Sequence, residues 1–267
     1  MKINKSIGFI GFGNMAKAMV KKILDRDVYV YAYDTACDAI HPPVIAIPTI
    51  DKLVELADII IISVKPQVVD QVLPEMKSAL TDDKLVVSIA AGISAGYLSE
   101  QLNFGKIVQV MPNTPMLVGE GASALARLPG VSDEEFAEAY DLFSLSGVAA
   151  EIPLSQMNAI IAINGSSPAF IWTFAKAFID YATSRGIDAG TATKLFTGTL
   201  TGAAKMITYG TDSETSSEQD LDTLIKKVCS PGGTTLAGLE AMEQTGFSES
   251  IKSACEACEK RAEKIGK

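Results

Sequence analysis

Hydrophobic positions in the first half of the chain alternate between short apolar runs and segments with helical spacing. The apolar runs predict strands over residues 6–10, 28–33, 58–64, 85–90 and 107–111. The segments between them predict helices over residues 15–25, 49–57, 67–80 and 94–102. The unbroken run from Ile59 to Ile62 is typical of a parallel strand buried on both faces. This alternation predicts an α/β fold, a doubly wound parallel sheet covered by helices.

The pattern changes after Pro153. Before it, strands are expected over residues 121–127 and 148–152, with a helix over residues 133–145 between them. After it, helical patterns follow one another over residues 155–184, 189–209, 218–228, 234–243 and 248–264. About ten residues separate Asp34 from Val44, too few for a full crossover helix, so a loop is expected there. We therefore predict a Rossmann-type domain over residues 1–153 and an all-α domain over residues 154–267.

Composition narrows the classes of partner. The 267 residues are 48% hydrophobic and 21% charged, which is ordinary for a globular enzyme. The formal net charge of −9, with no cluster of Lys and Arg to offset it, argues against a nucleic-acid partner. No apolar run approaches the ~18 residues of a membrane span, so no membrane segment is expected. Residues 1–5 lead directly into a predicted strand, so we expect no cleavable signal and a cytoplasmic location.

The four cysteines and the single histidine do not form a metal-binding pattern. Cys255 and Cys258 make a C-x-x-C inside a helical pattern, but no second pair completes a zinc site. We interpret this pair as ordinary helix-packing thiols, and the other two cysteines are Cys37 and Cys229. His41 lies in a predicted loop before two prolines, away from the glycine-rich segments. We therefore predict no metal site and no histidine-based catalysis.

A glycine-rich segment follows the first predicted strand and opens the first helix. It comprises Gly11, Phe12, Gly13, Asn14, Met15 and Ala16. In a dinucleotide-binding loop, Gly11 would permit the tight turn, Gly13 would let the pyrophosphate approach, and Ala16 would allow close helix–strand packing. Asp34 ends the second strand, where an acid typically binds the ribose hydroxyls and favours NADH, although it could also be an acid in a turn. The predicted cofactor is NADPH or NADH, and Asp34 favours NADH.

Two further loops lie at the carboxyl ends of predicted strands, the edge where open α/β sheets bind ligands. One contains Val64, Lys65 and Pro66, and the other contains Pro112 and Asn113. Both suit contacts to the ribose or the nicotinamide amide, and either could be only a rigid turn. Farther along, a Gly and a Pro within residues 164–169 interrupt a helical pattern, which indicates either a structural kink or a ligand contact.

A second glycine-rich segment precedes a predicted helix near the C-terminus. It comprises Ser230, Pro231, Gly232, Gly233, Thr234 and Thr235. Its glycines leave backbone N–H groups unscreened at a helix start, and hydroxyl groups flank them, so it suits a small anion such as a carboxylate. One loop for a dinucleotide and one for a small acid together predict an oxidoreductase.

These segments together resemble the pyrroline-5-carboxylate reductase family over nearly the whole chain. The most specific part is residues 228–243, and residues 11–16, 63–67, 111–115 and 165–170 follow the family's order. The resemblance implies hydride transfer from NAD(P)H to the C=N bond of 1-pyrroline-5-carboxylate, which gives L-proline. It also implies a homodimer formed through the C-terminal helical domain, which in this family is often assembled into a larger ring.

The resemblance also implies roles for individual residues. Thr235 would place its hydroxyl near the ring nitrogen of the substrate, and Glu218 would reach the same side through water. The residues that would hold the substrate carboxylate through hydroxyl and amide groups are Ser230, Gly232, Gly233 and Thr234. The residues that would lie at the nicotinamide are Pro112 and Asn113, with Ala90, Ala91 and Gly92 nearby.

The sequence departs from the family pattern in three places. Ser167 replaces the second glycine of the usual Gly-Ser-Gly-Pro-Ala, and Glu218 lacks the His-Pro that often follows it. The strand end at Asp34 lacks the arginine that NADPH-preferring members tend to have. Two alternatives stay open. One is a non-catalytic dinucleotide-sensing protein; the other is a β-hydroxyacid dehydrogenase-like enzyme, although the spacing around Lys176 does not match its catalytic lysine.

Overall fold

The computed structural model describes residues 5–36, 40–208 and 220–266. Its single eight-stranded sheet has the order β3-β2-β1-β4-β5-β6-β7-β8. The strands are β1 (Ile7–Ile10), β2 (Val30–Tyr33), β3 (Ile45–Ala46), β4 (Ile59–Ile62), β5 (Leu85–Ser88), β6 (Ile107–Met111), β7 (Gly121–Arg127) and β8 (Gly147–Glu151).

The helices that connect and follow the strands are eleven in the described residues. They are α1 (Asn14–Ile23), α2 (Ile50–Leu56), α3 (Val69–Ala79), α4 (Ala95–Leu102), α5 (Asp133–Ser144), α6 (Met157–Ile160), α7 (Ser167–Ser184), α8 (Ala189–Thr208), α9 (Leu221–Lys227), α10 (Thr234–Gln244) and α11 (Phe247–Ile265). A π-helix, Ile161–Ser166, joins α6 to α7, and short 3₁₀ turns occur at Pro66–Val68, Thr114–Val118 and Leu154–Gln156.

The apolar run in β4 explains why the sheet is buried on both faces. All four residues are buried, and successive side chains point to opposite faces of a strand. Ile59 and Ile61 belong to one hydrophobic core, whereas Ile60 and Ile62 belong to the other. Parallel pairing with β1 and β5 places these residues in the centre of the sheet. The predicted α/β doubly wound fold is therefore confirmed.

The strand order creates a switch point at the carboxyl ends of β1 and β4. From β1 the chain moves outward to β2 and β3, and it then returns to β4 on the other side of β1. Connections that leave a sheet in opposite directions open a crevice at this edge, where ligands bind in open α/β sheets.

The last two strands modify the parallel arrangement. β7 pairs with β6 in the antiparallel direction, and β8 pairs with β7 in the parallel direction. At the start of this pair, a Cβ on Gly147 would lie 2.0 Å from the carbonyl oxygen of Gly121, so the two backbones touch. The strands predicted over residues 121–127 and 148–152 are therefore present, in a mixed sheet.

Helix α5, which covers this end of the sheet, begins with a capping box. The hydroxyl of Ser132 accepts a hydrogen bond from the Glu135 N–H at 3.2 Å, and the Glu135 carboxylate accepts from the Ser132 N–H at 2.9 Å. Lys106 donates to the other carboxylate oxygen at 2.7 Å. Burial raises the pKa of Glu135, but the hydrogen bonds from Lys106 and Ser132 outweigh it and hold that pKa below its ordinary value.

The described chain divides into two compact units. The first contains residues up to Pro168 together with the segment from Cys255 onward, and the second contains Ala169–Ala254. Within the second unit, an aromatic cluster joins α7, α8 and α11. The ring centroid of Phe174 lies 4.8 Å from that of Phe178 and 5.9 Å from that of Phe196. The domain boundary predicted at residues 153/154 divides the chain by element type, and it stays a prediction.

Among the described residues, none of the helices combines the length and apolar character needed to cross a membrane.

Candidate active site

Six of the predicted cofactor residues surround one cavity at the switch point. The cavity measures about 540 Å³ and includes in its lining Gly11, Phe12, Gly13, Asp34, Val64 and Lys65. They come from the loops that follow β1, β2 and β4, which end at the same edge of the sheet. The structure thus brings together residues that are far apart in sequence, although their role in binding a dinucleotide stays a prediction.

The loop after β1 is held between the ends of β2 and β4. The Gly11 N–H donates to the Tyr33 carbonyl at 2.8 Å, and the Ser63 hydroxyl donates to the Gly11 carbonyl at 2.6 Å. A Cβ on Gly11 would lie 2.9 Å from the Ser63 carbonyl oxygen, so a side chain would push the loop away. This fixed loop presents its next residues to the cavity.

The start of α1 leaves room for a phosphate group. Gly13 occupies the N-cap position, and the first helical residues are Asn14 and Met15, followed by the fully buried Ala16. A Cβ on Gly13 would meet no atom of the described residues within 4 Å, so this side of the loop is open. Uncapped N–H groups at a helix start, next to open space, fit the pyrophosphate of a dinucleotide.

Asp34 has structural partners of its own. Its carboxylate accepts hydrogen bonds from the Phe12 N–H at 2.6 Å and from the Ala36 N–H at 2.8 Å. Each carboxylate oxygen has a further lone pair, which could accept from a ribose hydroxyl. Among the described residues that line the cavity, Glu75 is a second acid and Lys65 is the single cation.

Both the donor and the acceptor of the Asn113 side-chain amide form hydrogen bonds within the protein. Its Nδ2 donates to the Asn164 carbonyl at 3.2 Å, and its Oδ1 accepts from the Ala122 N–H at 2.8 Å. In return, Nδ2 of Asn164 donates to the carbonyls of Met111 at 2.7 Å and Ala122 at 3.1 Å. Asn113 therefore ties the end of β6 to β7 and the π-helix. The contact to the nicotinamide implied for Asn113 and the buried Pro112 stays a prediction.

The segment around Gly165, for which either a kink or a ligand contact is predicted, forms the π-helix and packs closely on β6. A Cβ on Gly165 would lie 2.3 Å from Cε of Met111, so the backbone there is pressed against that side chain. Pro168 follows the π-helix without a break, so its missing N–H cannot donate to the Asn164 carbonyl four residues earlier. Nδ2 of Asn113 donates to that carbonyl at 3.2 Å. Asn164 was missed by the sequence interpretation because its partners lie more than forty residues away.

The remaining residues predicted at the nicotinamide form a tight turn after β5. The Ile93 N–H donates to the Ala90 carbonyl at 3.2 Å across Ala91 and Gly92. Pro66, which follows Val64 and Lys65 after β4, opens a 3₁₀ turn at the same edge of the sheet. These positions agree with a ligand that extends along the carboxyl ends of the strands.

The predicted substrate residues are gathered at the start of α10, within the second unit. The Gly233 N–H donates to the Ser230 carbonyl at 2.9 Å, and Gly233 is the N-cap of the helix that Thr234 and Thr235 begin. A Cβ on Gly233 would lie 2.4 Å from the Ser230 hydroxyl oxygen, and Gly232 has a positive φ of 69°. This turn places a hydroxyl beside a helix N-terminus, as a carboxylate site requires. Glu218 lies outside the described residues.

Two family models match the chain. A model described as pyrroline-5-carboxylate reductase dimerisation matches residues 155–265. A model described as NADP oxidoreductase, coenzyme F420-dependent, matches residues 6–92. The first spans the helices after the sheet, and the second spans the strands that form the switch point.

Individual proteins match over the full length. Pyrroline-5-carboxylate reductase of Escherichia coli is 33% identical, with 99% of this chain and all of that protein covered. The enzyme of the same name from Arabidopsis thaliana is 32% identical over 97% of this chain and 95% of its own. Among solved structures, pyrroline carboxylate reductase of Plasmodium falciparum with NADP bound aligns over all of both chains, with a TM-score of 0.88 and 28% identity.

Proposed function

Because the chain belongs to the pyrroline-5-carboxylate reductase family, we propose that it reduces the C=N bond of 1-pyrroline-5-carboxylate to give L-proline. The observation that carries this proposal is the full-length match to pyrroline-5-carboxylate reductase of Escherichia coli, which is 33% identical with 99% of this chain covered. The match spans both glycine-rich segments, residues 11–16 and residues 230–235. The proposed binding of the dinucleotide and of the small acid is therefore supported by sequence similarity as well as by similarity of fold. The chain is an NAD(P)H-dependent oxidoreductase.

The cofactor-binding part has the features that a dinucleotide needs. When bound, a reduced nicotinamide supplies the hydride that adds to the imine carbon. The backbone at Gly11 and Gly13 and the N-terminus of α1 would hold the pyrophosphate, and Asp34 would accept from the ribose. The open space beside Gly13 is the observation that supports this fit.

The substrate-binding part orients the imine and need not supply a strong acid. Ser230, Gly233 and Thr234 would hold the carboxylate with a hydroxyl and N–H groups, and Thr235 would place its hydroxyl near the ring nitrogen. A cyclic imine that is already protonated on nitrogen accepts a hydride at carbon and becomes a neutral secondary amine. Positioning the two reacting atoms therefore accounts for most of the catalysis.

The test is oxidation of NADH and NADPH by the purified protein, with and without pyrroline-5-carboxylate. Oxidation that depends on the imine, with proline as the product, is expected. Dinucleotide binding without any imine-dependent oxidation would instead support a sensing protein, and oxidation with a hydroxyacid alone would support the dehydrogenase alternative.

NADH is the cofactor that the charge of the cavity supports. Asp34 and Glu75 contribute two carboxylates, whereas Lys65 is the one cation that the structure describes in the lining. Two acids repel the 2′-phosphate that distinguishes NADPH. The ratio of kcat/KM for the two dinucleotides measures this preference, and a ratio above one in favour of NADPH would contradict it.

Self-association is the remaining part of the proposal. The chain forms a homo-oligomer, and the family model that matches the helices supports a dimer made through residues 155–265. Assembly of such dimers into a larger ring, and a cytoplasmic location, stay predictions from the sequence.

A further inference from the structure

The C-terminal end of α11 packs against the turn that follows β5. Its residues from Cys255 onward belong to the same compact unit as the sheet. Ala262 is buried, and a Cβ on Gly92 would lie 3.2 Å from Cγ2 of Ile265. A Cβ on Gly266 would lie 3.1 Å from the Gly92 carbonyl oxygen. The helix end and the turn are therefore in direct contact at Ile265 and at Gly266.

The turn has a conformation that depends on Gly92. The Ile93 N–H donates to the Ala90 carbonyl, and Gly92 at the third position has φ of +77°. This combination is typical of a type II turn, which requires a residue with positive φ there. Ala90 and Ile93 anchor the two ends of the turn in the hydrophobic core. Gly92, which lies between them and has no side chain, is the residue that the end of α11 contacts.

A cavity borders this turn on the side of α11. It measures about 430 Å³ and is bounded by Ala91 and Gly92, by Ser166 of the π-helix, and by Cys258, Arg261 and Ile265 of α11. Ala91 itself is exposed. The helix end therefore contacts the turn at Gly92, whereas open space adjoins Ala91.

The turn lies where a dinucleotide bound at the switch point would extend. β5 is the neighbour of β4 in the sheet, and both strands end at the edge that holds the cavity beside Gly11 and Asp34. A ligand that lies across the switch point with its pyrophosphate at α1 reaches the ends of the next strands.

We propose that Ile265, supported by Ala262, is a positioning residue that fixes the Ala90–Ile93 turn for the nicotinamide end of the cofactor. The inference rests on the proposed function for its substrate and cofactor. Ile265 itself would not touch the reacting atoms. Its Cγ2 would act by holding Gly92 and thereby the backbone beside the cofactor.

The test compares two substitutions that differ in the contacting atom. Ile265→Val keeps Cγ2, whereas Ile265→Ala removes it. We expect Ile265→Ala to raise KM for the preferred dinucleotide roughly three- to tenfold with kcat nearly unchanged, because weaker positioning costs binding. Ile265→Val should retain the wild-type KM. Leu56→Ala is the matched control. Leu56 is 47% exposed, against 37% for Ile265, and it ends α2 just before the amino end of β4, away from the carboxyl ends of the strands.

Several outcomes would overturn the proposal. One is a KM for the preferred dinucleotide in Ile265→Ala that equals the wild-type value. Another is a rise in that KM in Leu56→Ala that equals the rise in Ile265→Ala. If Ile265→Ala does not fold, deletion of Gly266 and Lys267 removes the contact of Gly266 with the Gly92 carbonyl, and it should raise KM by a smaller factor. The dissociation constant for the dinucleotide alone is measured for each protein as well. Wild-type protein without imine reduction would refute the proposed function, whereas unchanged dinucleotide affinity in Ile265→Ala would refute the positioning role.

Discussion

Two buried asparagines, Asn113 and Asn164, connect three elements through four hydrogen bonds. Replacing Asn164 with alanine removes the donor to the carbonyls of two half-buried residues, Met111 and Ala122. We expect the Asn164→Ala substitution to lower the free energy of unfolding by about 2–3 kcal/mol, because a buried polar group that loses its partner costs its desolvation energy. Urea denaturation measures the change.

The exposed amide of Gln156 provides the control for Asn164. Gln156→Ala should change the free energy of unfolding by less than about 0.5 kcal/mol, as is usual at exposed positions. Equal values for the two variants would mean that the hydrogen bonds of Asn164 contribute nothing measurable.

Asp34 combines a structural role with a charge in the cavity at the switch point. Asp34→Asn keeps an oxygen that can accept from the Phe12 N–H but removes the negative charge. We expect the ratio of kcat/KM to shift toward NADPH by about tenfold, which corresponds to about 1.4 kcal/mol. Steady-state kinetics with both dinucleotides measures it. Glu75→Gln is the comparison, and a larger shift there than at Asp34 would contradict the assignment.

At the scale of elements, the start of α5 predicts a specific dependence of stability on pH. The folded pKa of Glu135 lies below its ordinary value of 4.5, so the ionised carboxylate stabilises the folded chain. That contribution is complete above the ordinary pKa and is lost as the pH falls through the folded pKa. Glu135→Gln can still complete the capping box, because glutamine also serves at that position.

We therefore expect Glu135→Gln to lower Tm at pH 7, with a difference from wild type that shrinks toward zero near pH 3. Thermal denaturation followed by circular dichroism across this range measures it. Glu134→Gln, at the exposed neighbouring position, should show a smaller difference at pH 7. A difference for Glu135→Gln that stays constant with pH would show that the charge is not responsible.

The elements also show how far sequence reasoning reaches. The strands and the loop at Gly11 could be predicted, because apolar runs and βα turns are encoded by residues close together in sequence. The antiparallel direction of β7 and the pairing of Asn113 with Asn164 could not, since they depend on contacts between distant segments. The turn at Ser230 was predicted as a local structure, but its function requires a ligand that sequence patterns identify only by resemblance.

At the scale of the whole molecule, the helices after the sheet expose an unusual amount of apolar surface. Within the second unit, Trp172 is 61% exposed and Leu195 is 65% exposed. Apolar surface of this kind marks an interface between proteins. The matching dimerisation model covers both residues. We expect a second copy of the chain to cover this surface.

This expectation gives a measurable consequence. The protein should have a mass in solution of at least twice 28.2 kDa, and Leu195→Glu should shift it toward the monomer. Light scattering after size-exclusion chromatography measures the mass. The fluorescence of the single tryptophan, Trp172, should shift to longer wavelength in Leu195→Glu. Dissociation of the second copy would expose the indole ring to water. Leu56→Glu, which adds the same charge in the first unit, is the control; a monomeric wild type would refute the interface.

The contact between Gly121 and Gly147 has a consequence for any library of variants. Every other residue at position 147 would place an atom about 2.0 Å from the Gly121 carbonyl oxygen, so substitutions there should reduce the amount of folded protein in the cell. Gly13 is the opposite case, because its missing side chain faces open space. Its variants should accumulate normally and fail only in turnover. A mutational scan that scores abundance and activity separately would thus sort the glycines of this chain into those required for folding and those required for the ligand.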